Sequence, residues 1–398
     1  MAVKRVKAGI MGAGVISYTY LENLCSTFSI VEVAGISDMN PEKSAIRSEQ
    51  FGVRRMTNDE ILDDPEIEIV INLTIPTVHQ EISEAALRAG KNVYSEKVMA
   101  LEYEGALSIF NTAKEKKLRF GQAPDTFLGG ALQTARKLID DGYIGDPIMA
   151  QAMVVRGSRL SDASNTQVRF AFGPGGSVPF DMTGYYLHAL VSLLGPVKRV
   201  AGFSRNYGAK VFENPRNPKY KTSIDSLEPG IMTGSLEFYS GCVAALTAVG
   251  ECRMPEVPRL EIYGREGTLI CPDPNYFGGA VYLARGPGGE RHEIPLTHGF
   301  VAPLRSGPPI SPQEAIKWEK SCRGVGVADM AWAMRNGRPH RCSAELGLHA
   351  CEIARGIEKS GENGLVYNLQ SKPERPAALP AGFVTGTGID ESCLDDSN

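Results

Sequence analysis

The sequence lacks the features that mark a membrane-spanning, zinc-binding or disulfide-rich protein. Its 398 residues contain no uninterrupted apolar run near the roughly 18 residues that a membrane-spanning helix needs. The eight cysteines are scattered without a CxxC pair, and the six histidines include no HExxH or comparable spacing, so we expect reduced thiols and no metal site. No Lys/Arg-dense stretch is present, which argues against a nucleic-acid partner.

The amino terminus and the charge balance indicate an ordinary globular protein. The basic residues of MAVKRVKAGIMGAGV lead directly into glycines, so the segment lacks the apolar core of a secretory signal. A net charge of −4 and a mean hydropathy of −0.16 are typical of a folded, water-exposed chain. We therefore expect a cytoplasmic protein, and its length predicts two domains.

Strand and helix patterns alternate over the first part of the chain. Apolar runs such as VKAGIMG, VEVAGISD and EIVINLT predict strands, and the segments between them have helical apolar spacing. This alternation predicts right-handed βαβ units around a parallel sheet, and therefore a dinucleotide-binding domain over residues 1–124.

Beyond Pro124 the pattern changes to strands with few helices between them. Hairpin signals such as YSG and GREG favour an antiparallel sheet, in a substrate-binding α+β domain over residues 125–372. One helix is predicted across DMTGYYLHAL, and residues 324–360 return to helical spacing. Residues 373–398 are rich in proline and glycine and then acidic, which predicts a loose tail or an extended arm.

The segment GIMGAGVIS follows a predicted strand and opens a predicted helix, as a pyrophosphate-binding turn does. Gly12 and Gly14 permit a tight turn, and the first amides of the helix, at Val15 and Ile16, would face phosphate charge. Asp38 ends the second strand, where a carboxylate would accept the adenosine ribose hydroxyls and repel a 2′-phosphate. These residues predict an NAD(H) site, with NADP(H) as the alternative. The alternative interpretation of Asp38 is that it only begins the turn at DMNP and does not contact a ligand.

Several segments in order resemble the Gfo/Idh/MocA oxidoreductase family, named after glucose–fructose oxidoreductase and inositol dehydrogenase. The matching segments are GIMGAG, ISDMNP, TIPTVHQE, AGKNVYSEKV and GPGGSVPFDMTGYY, followed by LLGPVKRV. The resemblance spans most of residues 5–360. It implies an α/β fold in which a Rossmann domain with a parallel sheet precedes a domain with a large, open-faced, mainly antiparallel sheet. That sheet commonly mediates oligomerisation in such proteins, so we expect a homodimer or homotetramer.

The resemblance also implies roles for residues of the first domain. Positions that line the cofactor are matched by Thr74, Ile75, Pro76 and His79. For His79, a helix-start histidine bonded to backbone is the alternative. Glu96 matches the acid that usually contacts the nicotinamide ribose, and Lys97 matches the family's catalytic lysine. The proline that follows this lysine in the family is Val98 here, so the loop lacks proline's fixed φ.

A second departure concerns the acid/base group. The family aspartate is matched by Asp181, but Tyr185 replaces the histidine four residues later. A tyrosine has an ordinary pKa of about 10 and needs a nearby cation to stabilise its phenolate, which Lys97 would supply across the nicotinamide. Glucose–fructose oxidoreductase and dihydrodiol dehydrogenase similarly place tyrosine there. We predict Tyr185 as the acid/base, Lys97 as its partner and a substrate ligand, and Asp181 as the group that orients the lysine or the substrate.

Further candidate residues surround this centre. On one continuous helix Asp181, Tyr185 and His188 share a face, so His188 would relay protons or bind substrate; the alternative is a histidine packed against the sheet. Candidate substrate ligands elsewhere are Asp125, Arg156, Arg159 and Arg169. A polyhydroxylated ring needs several donors and acceptors, and arginines equally suit an acidic sugar or a phosphate.

Three functional hypotheses follow. The leading one is an NAD(H)-dependent oxidoreductase that interconverts a secondary hydroxyl and a ketone on a sugar, cyclitol or glycoside. The second, drawn from the family, is a glycoside-cleaving enzyme in which transient oxidation at C3 acidifies C2–H and permits elimination, with NADH regenerated in place. The third is a non-catalytic, dinucleotide-responsive regulator. Loss of the lysine and the proton donor would favour the regulator, and both have candidates here.

Overall fold

A six-stranded parallel sheet forms the first domain of the computed structural model, which describes residues 3–157, 172–208, 210–214, 217–252, 257–301, 322–381 and 391–395. The strands are β1 Val6–Met11, β2 Val31–Ser37, β3 Arg54–Arg55, β4 Ile69–Asn72, β5 Asn92–Ser95 and β6 Phe120–Gln122. They lie in the order β3-β2-β1-β4-β5-β6, and all neighbouring pairs are parallel. The strand order reverses between β1 and β4, so a ligand crevice opens at their carboxyl ends.

Helices connect these strands, and their bounds follow from local sequence. They are α1 Val15–Ser26, α2 Pro41–Phe51, α3 Asn58–Asp63, α4 His79–Arg88 and α5 Tyr103–Lys116, with a 3₁₀ turn at Pro76–Val78. At the start of α2, the Asn40 side chain accepts a hydrogen bond from the Glu42 amide at 3.0 Å, and Pro41 takes the first helical position. The helix ends at Gly52, whose φ of +67° is left-handed.

A nine-stranded sheet forms the centre of the second half of the chain. Its strands are β7 Pro147–Gly157, β8 Val197–Arg205, β11 Ile231–Phe238, β12 Val243–Cys252, β13 Val257–Gly264, β14 Gly267–Cys271, β15 Val281–Arg285, β16 Arg291–Ile294 and β17 Tyr367–Asn368, and a separate hairpin joins β9 Lys210–Asn214 to β10 Asn217–Ile224. The order is β16-β15-β14-β13-β7-β12-β11-β8-β17, and only β7 and β12 run parallel among its described pairs. The predicted fold class is confirmed.

One face of this sheet is covered by helices, and the other lies open. The helices on this sheet are α6 Gly130–Asp140, α7 Val178–Asp181, α8 Thr183–Leu194 and α10 Ala344–Asn363. The helix α9 Val325–Asn336 packs against β2 and β6 of the first sheet, and 3₁₀ turns lie at Thr126–Leu128 and Glu391–Leu394. On the covered face, Gly202 and Gly234 let Ile357 of α10 approach the strands closely. On the open face, Phe203 is 70% exposed. The buried apolar core runs without a break between the two halves of the chain.

The helix predicted across residues 181–190 is interrupted, which corrects the expectation of one continuous face. Helix α7 ends at Asp181, Met182 lies between, and α8 begins at Thr183. The Thr183 hydroxyl donates to the Pro179 carbonyl, so this side chain occupies an acceptor that a continuous helix gives to a backbone amide. Asp181 therefore belongs to the end of one helix, and Tyr185 to the first turn of the next.

The tail begins as a packed, extended arm. The Arg341 guanidinium donates to the carbonyls of Ala377 and Ala378 at 3.0 and 3.1 Å, and the Leu379 amide donates to the Gln133 side chain at 2.8 Å. The extended alternative therefore describes the tail up to residue 381. The boundaries at residues 124 and 372 remain predictions.

Candidate active site

The glycine turn after β1 is shaped for a ligand as well as for the chain. Gly12 has a φ of +105°, and a Cβ there would lie 2.6 Å from the Leu73 backbone, so the fold itself requires glycine. A Cβ on Gly14 would meet nothing within 4 Å, although this residue caps α1. The space in front of Gly14 and the first amides of α1 is therefore open to a pyrophosphate.

Asp38 joins the two turns that border this space. One carboxylate oxygen accepts from the Ala13 amide at 2.7 Å, and the other accepts from the Asn40 amide at 2.8 Å. The carboxylate also lines a groove of about 570 Å³ at the carboxyl ends of β2 and β3, between the segments that follow these strands. Asp38 therefore begins the DMNP turn and also faces the groove, and its contact with the adenosine ribose remains a prediction.

Exposed apolar side chains mark the carboxyl edge of the sheet. Val15 follows β1 and is 58% exposed, Met39 follows β2 and is 95% exposed, and Ile75 follows β4 and is 59% exposed. Such side chains at one edge suit the flat rings of a dinucleotide better than they suit water. Ile16 is half-buried beside them. Sequence reasoning missed Met39, although its place directly after Asp38 was a signal.

His79 holds two loops together and does not face the crevice. The side chain is buried; Nδ1 lies 2.6 Å from the Val98 carbonyl oxygen, and Nε2 lies 3.2 Å from the Thr74 carbonyl oxygen. Burial lowers the pKa of His79. This placement agrees with the backbone-bonded alternative, and a cofactor contact of His79 remains a prediction. The neighbouring Pro76 is buried, and the Thr74 hydroxyl donates to Asn72 at 2.6 Å.

Glu96 is buried and its carboxylate already has protein partners. One oxygen accepts from the Tyr20 hydroxyl at 2.9 Å and lies 3.9 Å from an Arg323 nitrogen. The other oxygen accepts from the Lys97 amide at 3.1 Å. This carboxylate therefore helps to hold Arg323 in place, and its expected contact with the nicotinamide ribose remains a prediction.

Lys97 and Asp181 form a salt bridge that joins the two halves of the chain. The Lys97 ammonium donates to the Asp181 carboxylate and lies 3.3 Å from the Asp181 carbonyl oxygen. Burial alone would lower the pKa of Lys97, but the nearby Asp181, Tyr185 and Glu96 raise it above its ordinary value. The Lys97–Val98 peptide bond is cis. Lys97 is therefore a charged ammonium whose position Asp181 sets.

Tyr185 lies between two cations. The Lys97 ammonium is 5.5 Å from the centroid of its ring, and the carbon of the Arg323 guanidinium is 5.3 Å away. The Arg323 guanidinium also donates to the phenol oxygen at 2.7 Å. The Tyr185 ring and the Lys97 ammonium therefore lie side by side, but the cation bonded to the phenol oxygen is Arg323. Sequence reasoning missed this residue, which lies 138 positions further along the chain without a recognisable motif.

His188 occupies the interior and carries no charge at neutral pH. Its Nδ1 donates to the Pro124 carbonyl at 3.1 Å, and the ring packs edge-on against Phe127 with 6.0 Å between centroids. Burial lowers the pKa of His188 to about 4. With Lys97 it lines a small cavity of about 40 Å³. The helix break lies before Thr183, so it separates Asp181 from Tyr185 and His188, which both lie on α8. The alternative of a packed, hydrogen-bonded histidine describes His188.

Two of the expected substrate ligands have structural partners instead. Asp125 is fully buried and accepts from the Gly324 and Gly326 amides at 2.9 and 3.1 Å, so it caps α9. Arg156 is buried 3.7 Å from the Asp273 carboxylate. Both side chains therefore have interior partners, and their roles as substrate ligands remain predictions. Two further candidates lie outside the described residues: Arg159 and Arg169.

Two features of the described ranges concern membrane insertion and metal binding. Within these ranges, the helices are too short or too polar to span a bilayer. No group of three or more His, Cys, Asp and Glu side chains in the same part of the chain is arranged to hold a metal ion.

Two family profiles match the chain and assign it to a class. Residues 6–123 match the oxidoreductase family with an NAD-binding Rossmann fold, and residues 132–270 match the GFO/IDH/MocA C-terminal domain. Together the two matches cover more than half of the chain, so the chain belongs to the Gfo/Idh/MocA family. The predicted resemblance and the predicted NAD-binding domain are confirmed.

Two curated dehydrogenases and one solved structure are similar to the chain. The chain is 32% identical over 153 residues to an inositol 2-dehydrogenase/D-chiro-inositol 3-dehydrogenase of Lactiplantibacillus plantarum, covering 36% of this chain and 42% of the relative. It is 33% identical over 253 residues to levoglucosan dehydrogenase of Pseudarthrobacter phenanthrenivorans, covering 59% of this chain and 63% of the relative. The chain thus spans about half the length of these relatives. A levoglucosan dehydrogenase structure with NADH and L-sorbose shares the fold, with a TM-score of 0.75 at 19% identity over 92% of this chain and 99% of that one.

Proposed function

We propose that the protein is an NAD(H)-dependent oxidoreductase that interconverts a secondary hydroxyl and a ketone on a sugar, cyclitol or glycoside. The observation that carries the proposal is the convergence of Lys97, from the end of β5, with Asp181 and Tyr185, from the helices of the second half. A fixed ammonium beside a phenol is the pair that carbonyl reduction needs, one to bind the oxygen and one to exchange its proton.

The cofactor side of the proposal rests on the turn after β1 and the edge of the sheet. Gly14 leaves room for a pyrophosphate, and Val15, Met39 and Ile75 offer apolar surface to the rings. Bound NAD(H) would supply or accept the hydride. The Asp38 carboxylate in the groove repels a 2′-phosphate, which favours NAD(H) over NADP(H).

The side chains handle the proton. In the reduction, the Lys97 ammonium donates a hydrogen bond to the carbonyl oxygen, and the Tyr185 hydroxyl transfers its proton to that oxygen as hydride reaches the carbon. In the oxidation, the Tyr185 phenolate takes the hydroxyl proton as hydride leaves the same carbon, so charge and atoms balance in both directions. Asp181 keeps the ammonium charged and oriented.

Two variants test this chemistry. Tyr185→Phe and Lys97→Met are compared with the wild-type protein for NAD⁺ reduction on a panel of inositols and pyranosides that includes levoglucosan. We expect a loss of turnover of about 100-fold or more in each variant, because acid–base groups typically contribute that much, with NADH binding retained. Tyr186→Phe is the matched control, because this adjacent tyrosine bonds to Asp273 on another side of α8. Unchanged turnover in Tyr185→Phe would overturn the mechanism.

The same assay separates the remaining hypotheses. A glycoside that is cleaved by the NAD⁺-loaded protein without accumulation of NADH would assign the elimination chemistry. Binding of NAD(H) without turnover of any compound, in a protein with Lys97 and Tyr185 intact, would favour a regulator.

The open face of the large sheet supports a homodimer or homotetramer. Phe203, Thr233 and Thr247 lie side by side across β8, β11 and β12 on this face, and Met153 continues the row on β7. A face of small and apolar side chains with 70% exposure at Phe203 suits a second copy of the sheet. Phe203→Glu should shift the mass measured by light scattering toward the monomer, whereas Ile46→Glu on α2 should not. An unchanged mass for Phe203→Glu would contradict this arrangement.

A further inference from the structure

The hydrogen bond between Arg323 and Tyr185 runs in one direction. A guanidinium has five donors and no acceptor, so Arg323 must donate to the phenol oxygen. The phenol's own proton is then directed elsewhere and is available to another acceptor. Arg323 therefore fixes the Tyr185 oxygen without occupying its hydrogen.

Arg323 is itself held firmly. It is buried, and its carbonyl accepts from the Asn23 side chain at 2.7 Å. The guanidinium lies 3.9 Å from the Glu96 carboxylate, which also accepts from the Tyr20 hydroxyl. These contacts come from α1 and from the end of β5, so the first domain positions the cation that reaches the phenol.

The charge on Arg323 is permanent under any working condition. Burial alone would lower its pKa, but Tyr185, Glu96 and Asp125 raise the pKa well above the ordinary value. Lys97, the other cation beside the ring, is in direct contact with the Asp181 carboxylate. The nearest carboxylate to Arg323 stands further off, so more of its charge acts on the phenol oxygen.

We infer that Arg323 is a positioning residue for Tyr185, which fixes the phenol oxygen and stabilises the phenolate form that proton exchange requires. The inference rests on the proposed function, in which Tyr185 is the acid/base. In this arrangement Lys97 binds the substrate oxygen, and Arg323, in place of Lys97, supplies the charge that stabilises the phenolate. The two cations then have separate tasks.

The ionisation of Tyr185 can be measured without a substrate. The tyrosinate ultraviolet absorbance of the full chain is titrated with pH, and the difference between the wild-type and Tyr185→Phe proteins isolates Tyr185 among the 14 tyrosines. The titration is repeated in Arg323→Met, with and without the second change Tyr185→Phe. We expect the phenolate of Tyr185 to form at higher pH in Arg323→Met than in the wild type, because an opposite charge in contact has been removed.

Conservative variants distinguish charge from packing. Arg323→Lys keeps a cation and should keep the titration of Tyr185 near the wild-type position, whereas Arg323→Gln keeps a donor without charge and should shift it as Arg323→Met does. If Arg323→Met does not fold, as judged by circular dichroism, the comparison of the Lys and Gln variants decides. The inference would be overturned if Tyr185 titrates at the same pH in the wild type and in the uncharged variants. It would also be overturned if the wild type gives no Tyr185 signal over the pH range in which it stays folded.

The outcome is separable from that of the proposed function. Normal turnover in Tyr185→Phe would reject Tyr185 as the acid/base and leave the titration result intact. Loss of turnover in Tyr185→Phe, together with an unshifted titration in Arg323→Met, would reject only the role of Arg323.

Discussion

An ammonium that is mostly removed from water is stable only beside a negative charge, and this requirement links Lys97 to Asp181. The lysine comes from the end of a strand in the first domain, where burial opposes its charge. The Asp181 carboxylate, on the last residue of α7, stabilises the charged form of Lys97 again. The salt bridge therefore sets both the charge state of the proposed oxygen ligand and the closeness of the two halves.

Removing that carboxylate gives a prediction with a defined sign. In Asp181→Asn the pKa of Lys97 should fall, because burial then acts with less opposition, and the alkaline limb of the pH–rate profile should move to lower pH. Turnover at neutral pH should drop by roughly 10- to 100-fold because the ammonium loses its orientation. The measurement is the pH dependence of kcat/KM on the best compound of the panel.

The effect on stability has a different pH window. Because the folded-state pKa of Lys97 is raised, its stabilisation is complete below the ordinary lysine value of about 10.4 and is lost only above it. The difference in unfolding midpoint between wild type and Asp181→Asn should therefore be constant from pH 6 to pH 9. Asp146→Asn, whose side chain is 90% exposed, is the control. In the pH–rate experiment, an alkaline limb at the same pH in Asp181→Asn as in the wild type would show that the ionisation of Lys97 does not cause that limb.

At the scale of elements, two neighbouring glycines in the turn between β1 and α1 have different tasks. Gly12 is needed for folding, and Gly14 leaves space for the ligand. A methyl group on Gly12 would collide with the Leu73 backbone, and its φ of +105° is strained for alanine. A methyl group on Gly14 has open space and a φ of −69°, which alanine adopts freely. The same substitution at the two positions should therefore have opposite consequences.

We predict that Gly12→Ala lowers the thermal midpoint of unfolding by several degrees, since strain and collision both oppose the folded turn. Gly14→Ala should leave the midpoint close to that of wild type and weaken NADH binding by about tenfold or more, because its methyl group fills the pyrophosphate space. Thermal melts and NADH fluorescence titration of both variants supply the measurements. Wild-type affinity in Gly14→Ala would place the pyrophosphate elsewhere.

Local sequence patterns predict the strands, the helices and the site residues at strand ends. Contacts between residues far apart in the sequence could not be predicted in this way. Gly12, Asp38 and Lys97 were recognisable because each lies at the carboxyl end of a parallel strand, a place that sequence order defines. The contact of Asp125 with the first amides of α9 could not be predicted, because these amides lie about 200 positions along the chain. Arg323 reaches the phenol through the same folding of α9 onto the first domain, which no nearby residue signals.

At the scale of the whole molecule, histidines that are buried or half-buried make the fold sensitive to mild acid. Burial lowers the pKa of five of the six histidines: His79, His188, His298, His340 and His349. His349 shows why protonation is costly, since Nδ1 lies 2.8 Å from the Ser371 hydroxyl and Nε2 accepts the Val197 amide at 2.9 Å. A proton on Nε2 would remove that acceptor and break the link between α10 and β8.

Because the folded-state pKa values are lowered, the unfolded chain binds more protons once the pH falls below the ordinary histidine value, and stability falls with it. The pKa is about 4 for His188 and about 3 for His349, so each should cost about 2 kcal/mol of unfolding free energy between pH 7 and pH 5. Asp125 and Glu228 act in the opposite sense because burial raises their pKa.

A histidine variant isolates the contribution of one group to the pH dependence of the unfolding free energy. His349→Gln should lower the urea midpoint at pH 7, where the Val197 amide loses its partner, yet its further loss between pH 7 and pH 5 should be smaller than that of wild type by about 2 kcal/mol. His292→Gln is the matched control because this histidine is exposed on β16, and its urea midpoint at pH 7 should equal that of wild type. Equal pH dependence in His349→Gln and wild type would mean that His349 binds its proton alike in the folded and unfolded chain, and that the acid sensitivity of the fold resides in the other buried histidines.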